Sequence, residues 1–261
     1  MSDPSYAIAL EGRLKKCRNV ITLGVKPNWE DYCFEDRQRI LNAGKIYYPS
    51  AFYVELFHLA GKKTFPSRLT YHFAQDKIRQ TTAFYLAGIP HPRTRFFFGE
   101  RQKKSILEYF KFPFIAKVAR GSALGCGVFL IQSQEDLNRY LEMSRVAYIQ
   151  EYLPVDRDIR VVVIGHQVRL AYWRINATGD FRSNVFQGGC IKLDAVPEEA
   201  KRLALHAALH CGWDDVGIDI LSYAGKYYVL EANMKYGRQG FSAAGIDYHQ
   251  LMEQLIENGG I

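Results

Sequence analysis

One short stretch of the chain, residues 216–233, constrains the fold more than any other, because it predicts a β-hairpin with acidic side chains on both strands. The turn is centred on Ala224-Gly225-Lys226, and glycine favours the tight turns that join neighbouring strands. Asp219 and Glu231 lie at equal distances from Gly225, so they are predicted to face each other with their β-carbons about 5 Å apart. Asn233 follows two residues after Glu231 and therefore shares its face of the strand.

This pair of carboxylates predicts a cation site. Two like charges directly opposite each other destabilise a sheet unless a positive charge lies between them. Carboxylate and amide oxygens are hard ligands that suit Mg²⁺, which keeps some waters and takes phosphate oxygens for its remaining positions. Asp219, Glu231 and Asn233 are therefore the predicted metal ligands. In the alternative interpretation, the register differs by one or two residues and the acids are solvated.

A lysine followed by a glycine-rich segment indicates a loop that binds phosphate. Lys117 lies in the apolar stretch 114–118, and residues 121–127 read Gly-Ser-Ala-Leu-Gly-Cys-Gly. Glycines let backbone N–H groups approach a phosphate without a side-chain clash, although a plain flexible turn is an alternative. The residues expected to contact the nucleotide are Gly121, Ser122, Gly125 and Gly127.

The order of these residues excludes three familiar nucleotide motifs. Val128 follows the last glycine, where a Walker loop needs Lys and then Ser or Thr. A dinucleotide-binding loop opens a helix, whereas a strand is expected here. A protein kinase places its lysine after the glycine loop rather than before it.

Three further groups of residues are candidates for binding an anionic ligand. Lys77 lies in a predicted helix, where a solvated lysine is the alternative interpretation. Residues 150–154 end a predicted strand whose backbone can meet the edge of an adenine. The third group consists of Arg160, Arg174 and Arg182. Arginine forks bind phosphate and carboxylate bidentately, and a solvated basic loop is the alternative interpretation.

Composition limits the class of ligand and the compartment. The formal net charge is +7, which suits an anionic small molecule such as a nucleotide. The chain has no run of five basic residues, so we expect no nucleic-acid partner. No apolar run approaches the roughly 20 residues that span a bilayer, so we expect no membrane partner. The N-terminus does not read as a signal peptide and the five cysteines are scattered, which favours a cytoplasmic location with reduced thiols.

Local patterns predict alternating helices and strands, the texture of an α/β or α+β protein. A linker is expected at residues 64–67. Strands are expected at 20–25, 46–48, 112–119, 127–132, 146–152, 159–164 and 167–175, and helices at 35–42, 52–60, 74–87, 134–143, 197–211 and 248–257.

From about residue 76 onward the chain resembles the RimK-like branch of the ATP-grasp superfamily. The members of this branch are carboxylate–amine ligases, and some of them are glutamate ligases. The resemblance rests on Gln150-Glu151-Tyr152, Asp158-Ile159-Arg160, residues 180–184, Gly188-Gly189, residues 217–221 and Glu231-Ala232-Asn233. It implies an ATP-grasp fold in which two α+β lobes clamp ATP behind a small N-terminal α/β domain. The implied division is an N-terminal domain at 1–73 and an ATP-grasp domain at 74–261, with a lid at about 112–150 and a C-terminal lobe at 151–261.

The resemblance also implies ligands and residue roles. ATP is bound with one or two Mg²⁺ ions, Mn²⁺ being the alternative, and an acyl phosphate precedes the amide bond. The implied nucleotide contacts are Lys77 and Lys117 for the phosphates, Glu151, Tyr152 and Leu153 for adenine, Asp158 for ribose, and Arg182, Ser183 and Asn184 on the phosphate side. Catalysis by charge neutralisation is implied for Arg160, Arg174 and Arg182. Substrate contacts are implied for Arg160, Arg174, Gly188, Gly189, Lys235 and Arg238.

The chain departs from the family pattern just after the metal asparagine. Relatives usually carry a small-residue Ser-Pro-Gly stretch there, whereas residues 234–238 read Met-Lys-Tyr-Gly-Arg. The acceptor is therefore open between a small molecule and a protein or peptide. Relatives are often dimers or tetramers, so the resemblance implies a homo-oligomer of one of these sizes, with the oligomeric state left open by the sequence. Two alternative functions are a phosphotransferase that stops at a phosphorylated product and a non-catalytic ATP-binding regulator.

Overall fold

The N-terminal part of the chain forms a parallel sheet. The computed structural model describes residues 6–121, 127–176 and 189–261. Four short strands pair in the order β2-β1-β3-β4, all parallel. The strands are β1 (Ala7–Ala9), β2 (Val20–Thr22), β3 (Lys45–Tyr47) and β4 (Lys63–Phe65), and the helices around them are α1 (Phe34–Asn42), α2 (Ser50–Leu59) and α3 (Arg68–Phe73). The expected linker at 64–67 is wrong, because residues 63–65 pair with β3 as the edge strand of this sheet.

A second, antiparallel sheet follows helix α4 (Lys77–Leu86). Helix α4 begins later than the expected residue 74, because the Asp76 side chain caps its first turn by accepting from the N–H of Arg79 (3.0 Å). The sheet has the order β5-β8-β6-β7. Its strands are β5 (Thr94–Phe98), β6 (Phe114–Lys117), β7 (Val128–Ile131) and β8 (Val146–Glu151), and its helices are α5 (Gly99–Lys103), α6 (Ile106–Tyr109) and α7 (Gln134–Met143).

The third sheet is antiparallel and has the order β11-β10-β9-β12-β13. Its strands are β9 (Arg157–Ile164), β10 (Gln167–Ile175), β11 (Cys190–Lys192), β12 (Asp215–Tyr223) and β13 (Lys226–Asn233), and helices α8 (Glu198–Cys211), α9 (Gln239–Ala243) and α10 (Tyr248–Glu257) accompany it. Both expected hairpins, around residues 165–166 and 224–226, are confirmed.

Alternation along β9 determines what each face of this sheet meets. Ile159, Val161 and Val163 point to one face and pack with helix α8 and Trp213 in a fully buried core. Val162 and Ile164 point to the other face and pack against the N-terminal sheet and helix α10. Because side chains alternate with a period of two, the polar residues 158 and 160 share this second face with Val162 and Ile164. They lie nearer the start of β9 than the residues that pack against the N-terminal sheet. Within the described ranges, no helix is long and apolar enough to cross a bilayer.

Candidate active site

Asp219 and Glu231 face each other across strands β12 and β13, as predicted. The turn itself is different from the one expected, because it consists of two residues, Ala224 and Gly225, with φ of 49° and 73°. A two-residue turn alone would set Asp219 opposite Leu230. A β-bulge after Asp219 shifts the register by one residue and restores the pairing with Glu231.

A row of charged groups crosses three strands at this point. Asp219 pairs with Arg160 of β9 in the ladder, and Nε and Nη2 of Arg160 both donate to its carboxylate, the latter at 3.1 Å. The Nη2 of Arg174 lies 2.9 Å from the same carboxylate. A Cβ on Gly217 would lie 2.9 Å from Nη1 of Arg160, so glycine leaves the space that this guanidinium fills.

Asn233 connects the two carboxylates. Its Nδ2 donates to Asp219 (3.2 Å) and to Glu231 (3.1 Å). The three side chains predicted as metal ligands therefore form one contiguous group. This group offers a metal ion two carboxylates and one amide. Within residues 6–121, 127–176 and 189–261, no group of three or more His, Cys, Asp or Glu side chains is arranged to hold a metal ion.

Asp158 and Arg174 form a second buried pair beside the first. Both nitrogens of the Arg174 fork donate to the carboxylate of Asp158, at 2.7 and 2.5 Å. Burial raises the pKa of Asp158 despite the opposing effect of Arg174. In this structure Asp158 thus orients Arg174, and the ribose contact implied for it stays a prediction.

Lys77 contacts the carboxylate hairpin, and Lys117 interacts with it electrostatically. The Nζ of Lys77, on the first residue of α4, lies 3.8 Å from Glu231. Lys117 on β6 is only 3% exposed, and burial lowers the pKa of its amine to about 8. Burial would raise the pKa of Glu231, but Lys77 and Lys117, together with Asn233 and Arg160, outweigh it and lower that pKa to about 2. An incoming anion would favour the charged form of this buried amine.

A pair of short segments, 75–77 and 119–121, joins the two lysines, and we call it the clasp. The N–H of Lys77 donates to the carbonyl of residue 119 (3.0 Å), and the N–H of residue 121 donates to the carbonyl of residue 75 (3.2 Å). Asp76 and Arg120 form a β-bridge, and Nε of Arg120 donates to the Asp76 carboxylate (3.0 Å). The clasp therefore fixes Lys77 relative to the start of the glycine loop. Sequence reasoning missed it, although Asp before a helix is a capping signal.

Glu151, Tyr152 and Leu153 lie at the end of β8, half-buried. The carboxylate of Glu151 accepts from the N–H of Arg93 (2.5 Å), and the N–H of Glu151 donates to the carbonyl of Arg93 (2.9 Å). Glu151 therefore has protein partners in this structure, and its adenine contact stays a prediction.

The loop after Asn233 meets the N-terminal sheet. The Nζ of Lys235 lies 3.5 Å from Glu11, which follows β1. Nη1 of Arg238 lies 2.9 Å from Nε2 of His249. Tyr236 donates to the buried carboxylate of Asp215 (2.6 Å) and anchors the loop. Sequence reasoning missed Glu11, yet the end of a strand in a parallel sheet is a common position for ligand-binding residues.

Several predicted site residues fall outside the described residues. Gly121, Gly127 and Gly189, which were also predicted to be site residues, are described and flank them in the sequence. The N–H of Val118 donates to the carbonyl of Gly127 (2.7 Å), which closes the base of the loop. Gly189 is half-buried next to strand β11. The predicted residues outside the described part are Ser122, Gly125, Arg182, Ser183, Asn184 and Gly188.

Comparison with known proteins identifies similar sequences. The family model of the RimK-like ATP-grasp domain matches residues 74–256. The chain is 31% identical over 211 residues to a probable alpha-L-glutamate ligase of Haemophilus influenzae, covering 77% of this chain and 70% of that protein. It is 28% identical over 209 residues to a ribosomal protein bS6–L-glutamate ligase of Salmonella paratyphi B, covering 77% and 69%.

Two solved structures have the same fold. The ATP-grasp ligase PsnB complexed with a minimal precursor superposes with a TM-score of 0.72 at 20% identity, over 97% of this chain and 98% of that one. The D-alanine–D-alanine ligase of Bacillus anthracis complexed with ATP gives a TM-score of 0.73 at 15% identity, over 97% and 96%. These likenesses confirm the predicted ATP-grasp fold.

Proposed function

We propose a mechanism and a substrate class on the premise that this chain belongs to the RimK-like ATP-grasp family and is an ATP-dependent ligase that joins a carboxylate to an amine. The observation that carries the proposal is the pairing of Asp219 with Glu231, linked by Asn233 and flanked by two lysines. The division into an N-terminal domain (1–73) and an ATP-grasp domain (74–261) is part of the proposal.

The residues at the hairpin fit Mg²⁺. Two carboxylates and an amide are hard donors that leave positions for phosphate oxygens and water. Asn233 presents its nitrogen to both carboxylates, and turning the amide over would present its oxygen instead, exchanging two atoms of similar size. When bound, Mg²⁺ would neutralise phosphate charge at this point, with Asp219, Glu231 and Asn233 as its protein ligands.

The surrounding cations supply the charge that phosphoryl transfer needs. Lys77 and Lys117 would hold phosphate oxygens, and the anion would favour the protonated form of Lys117. Arg160 and Arg174 are held in fixed orientations by Asp219 and Asp158, so they need little reorganisation to stabilise developing charge. Asp158 would act by orienting Arg174.

The reaction follows in two balanced steps. An oxygen of the acceptor carboxylate attacks the γ-phosphorus of ATP, forming an acyl phosphate and releasing ADP. The neutral amine of the donor then attacks the acyl carbon, and the bond from that carbon to the phosphate oxygen breaks. The amide forms, inorganic phosphate leaves with the former carboxylate oxygen, and the proton lost by the amine passes to the leaving phosphate or to solvent. The protein supplies positioning and charge and forms no covalent bond with substrate.

The names of the relatives favour glutamate as the amine donor. Lys235 and Arg238 are proposed substrate contacts, because their loop directly follows Asn233 and Lys235 lies 3.5 Å from Glu11. A cytoplasmic location is proposed because the cysteines in the described part of the chain, Cys17, Cys33, Cys190 and Cys211, are free thiols.

The test is substrate-dependent ADP release. Purified protein is incubated with Mg-ATP, L-glutamate and a panel of carboxylate acceptors, and ADP, phosphate and product mass are measured. We expect ADP and phosphate to appear only with a complete substrate pair and the product to gain a glutamyl residue. Glu231→Gln should abolish turnover, whereas Glu142→Gln, on the exposed side of helix α7, should not. Turnover by Glu231→Gln at the unaltered rate would refute the metal assignment.

A further inference from the structure

The side chain of Gln80 is buried in helix α4, three residues after Lys77, and is 3% exposed. Its Oε1 accepts from the backbone N–H of Ala232 (3.0 Å), and its Nε2 donates to the backbone C=O of the same residue (2.9 Å). Nε2 also donates to the C=O of Phe73 (3.0 Å), at the end of α3. The opposite orientation of the amide would set its oxygen against two carbonyl oxygens, so these contacts define which way it points.

Ala232 lies between Glu231 and Asn233, two of the predicted metal ligands. Its N–H belongs to the peptide group shared with Glu231, and its C=O belongs to the peptide group shared with Asn233. Because each peptide group is planar, a partner that holds both groups restrains the backbone on both sides of Ala232. The amide of Gln80 therefore fixes the backbone from which both ligand side chains project.

The position of Ala232 in the sheet explains why the hairpin needs this support. Strand β13 is the last strand in the order β11-β10-β9-β12-β13, and an edge strand presents N–H and C=O groups that no neighbouring strand pairs. The β-bulge after Asp219 also interrupts the ladder between β12 and β13 directly beside Glu231. Gln80 takes the place of a neighbouring strand at the point where the hairpin is held least firmly by its own ladder.

The same helix also presents Lys77 to the hairpin. Lys77 and Gln80 are three residues apart and therefore share one face of α4, and the Nζ of Lys77 lies 3.8 Å from Glu231. The clasp holds the start of the helix, because the N–H of Lys77 donates to the carbonyl of residue 119 (3.0 Å). Helix α4 is thus attached to the start of the glycine loop at one point and to the metal-site hairpin at Gln80.

We propose that Gln80 is a positioning residue for the metal site, which orients Glu231 and Asn233 for Mg²⁺ by holding both backbone groups of Ala232. Gln80 acts through the backbone and contacts neither the metal nor the nucleotide. The proposal rests on the metal site of the function proposed above and adds a residue that prepares this site for the ion. Loss of a group that orients metal ligands typically costs about 10–100-fold in metal affinity.

Equilibrium binding tests the role of Gln80 without requiring turnover. The Kd of AMPPNP, an ATP analogue, is measured by calorimetry in EDTA and again with saturating Mg²⁺, and the ratio of the two values is the magnesium gain. Gln80→Met keeps the length of the side chain but removes its hydrogen bonds to Ala232, and it should lower the magnesium gain about tenfold. The Kd in EDTA should stay within about twofold of wild type, because the clasp still holds Lys77.

The matched control is Thr70→Val, which also removes buried hydrogen bonds. The hydroxyl of Thr70 donates to the carboxylate of Asp214 (2.9 Å) and accepts from its N–H (3.2 Å), and Asp214 is five residues from Asp219, about 16 Å along a strand. Both variants should lower the Tm, since each leaves buried groups unpaired, but only Gln80→Met should lower the magnesium gain. Gln80→Asn is the milder variant if Gln80→Met does not fold. Its amide is one methylene too short, so it should lower the gain about threefold, as expected for the loss of one neutral hydrogen bond.

Two results overturn the positioning role, namely a magnesium gain in the folded Gln80 variant equal to that of wild type and a loss of AMPPNP affinity that is the same with and without Mg²⁺. A wild type whose AMPPNP affinity does not increase with Mg²⁺ would instead refute the metal site of the proposed function, and a wild type that fails to bind AMPPNP at all would refute its nucleotide site.

Discussion

The two carboxylates of the predicted metal site should respond differently to neutralisation. Asp219→Asn and Glu231→Gln each remove one charge and keep the shape of the side chain. Both should abolish ATP turnover, since each removes a proposed metal ligand. Only Asp219→Asn should greatly destabilise the fold, because the two acids have different partners in the ligand-free protein.

The magnitudes follow from burial and pairing. The side chain of Asp219 is 5% exposed and contacts two buried guanidinium groups, those of Arg160 and Arg174. Removing one partner of a buried ion pair costs about 3–5 kcal/mol, and because Asn retains an acceptor oxygen we expect about 3 kcal/mol. The side chain of Glu231 is 24% exposed, and its ion-pair partner Lys77 lies 3.8 Å away, so solvent screens its attraction to the nearby lysines. The neutral amide of Gln keeps an acceptor for Asn233 and removes the repulsion with Asp219, so this change should cost about 1 kcal/mol.

Thermal unfolding and turnover of the two variants measure this difference. A gap of about 2 kcal/mol in the free energy of unfolding corresponds to a difference in Tm of about 4–8 °C for a chain of this size. Equal Tm values for Asp219→Asn and Glu231→Gln would refute the assigned partners of Asp219. Turnover by either variant would refute the shared role at the metal.

Three further predictions concern the clasp, the buried lysine and the packing of Arg160. Asp76→Asn and Arg120→Gln should each raise the KM for ATP, because each loosens the clasp that positions Lys77. A double-mutant cycle should give a coupling of about 1 kcal/mol between the two residues. Additive effects would contradict the assigned contact between Asp76 and Arg120. The pKa of Lys117 is lowered to about 8, and a bound polyanion favours the charged amine. ATP binding at about pH 8.5 should therefore be accompanied by uptake of a proton, whereas binding at about pH 6.5 should not. Calorimetric heats that do not depend on the ionisation enthalpy of the buffer at the higher pH would exclude this proton uptake. A Cβ on Gly217 would meet Arg160 at 2.9 Å, so Gly217→Ala should lower the free energy of unfolding by about 1–3 kcal/mol. The control Gly44→Ala, where a Cβ would lie in open space, should change that free energy by less than about 0.5 kcal/mol. Equal urea midpoints for the two variants would contradict the close packing of Gly217 against Arg160.

The hairpin of the metal site shows what sequence can predict. Acidic residues on both sides of a glycine turn were sufficient to pair Asp219 with Glu231. The pairing was right although the turn is shorter than expected, because the bulge after Asp219 compensates for it. A bulge depends on the packing of both faces of the sheet, which local sequence does not encode.

Partners that come from distant strands could not be predicted. The fork of Arg160 on Asp219 requires β9 to lie beside β12, although β10, β11 and α8 come between them in the chain. The same holds for Glu11, which reaches Lys235 only because the N-terminal sheet packs on the third sheet. Short elements such as β4 and α3 were missed because three to six residues carry too little periodicity.

The most direct test of the proposed chemistry is the fate of the acceptor oxygen. With an acceptor whose carboxylate carries oxygen-18 in both positions, we expect ADP as the nucleotide product, an amide product, and one oxygen-18 atom in each phosphate released. Unlabelled phosphate, or AMP with pyrophosphate, would contradict a mechanism in which the acceptor carboxylate attacks the γ-phosphorus beside Asp219 and Glu231.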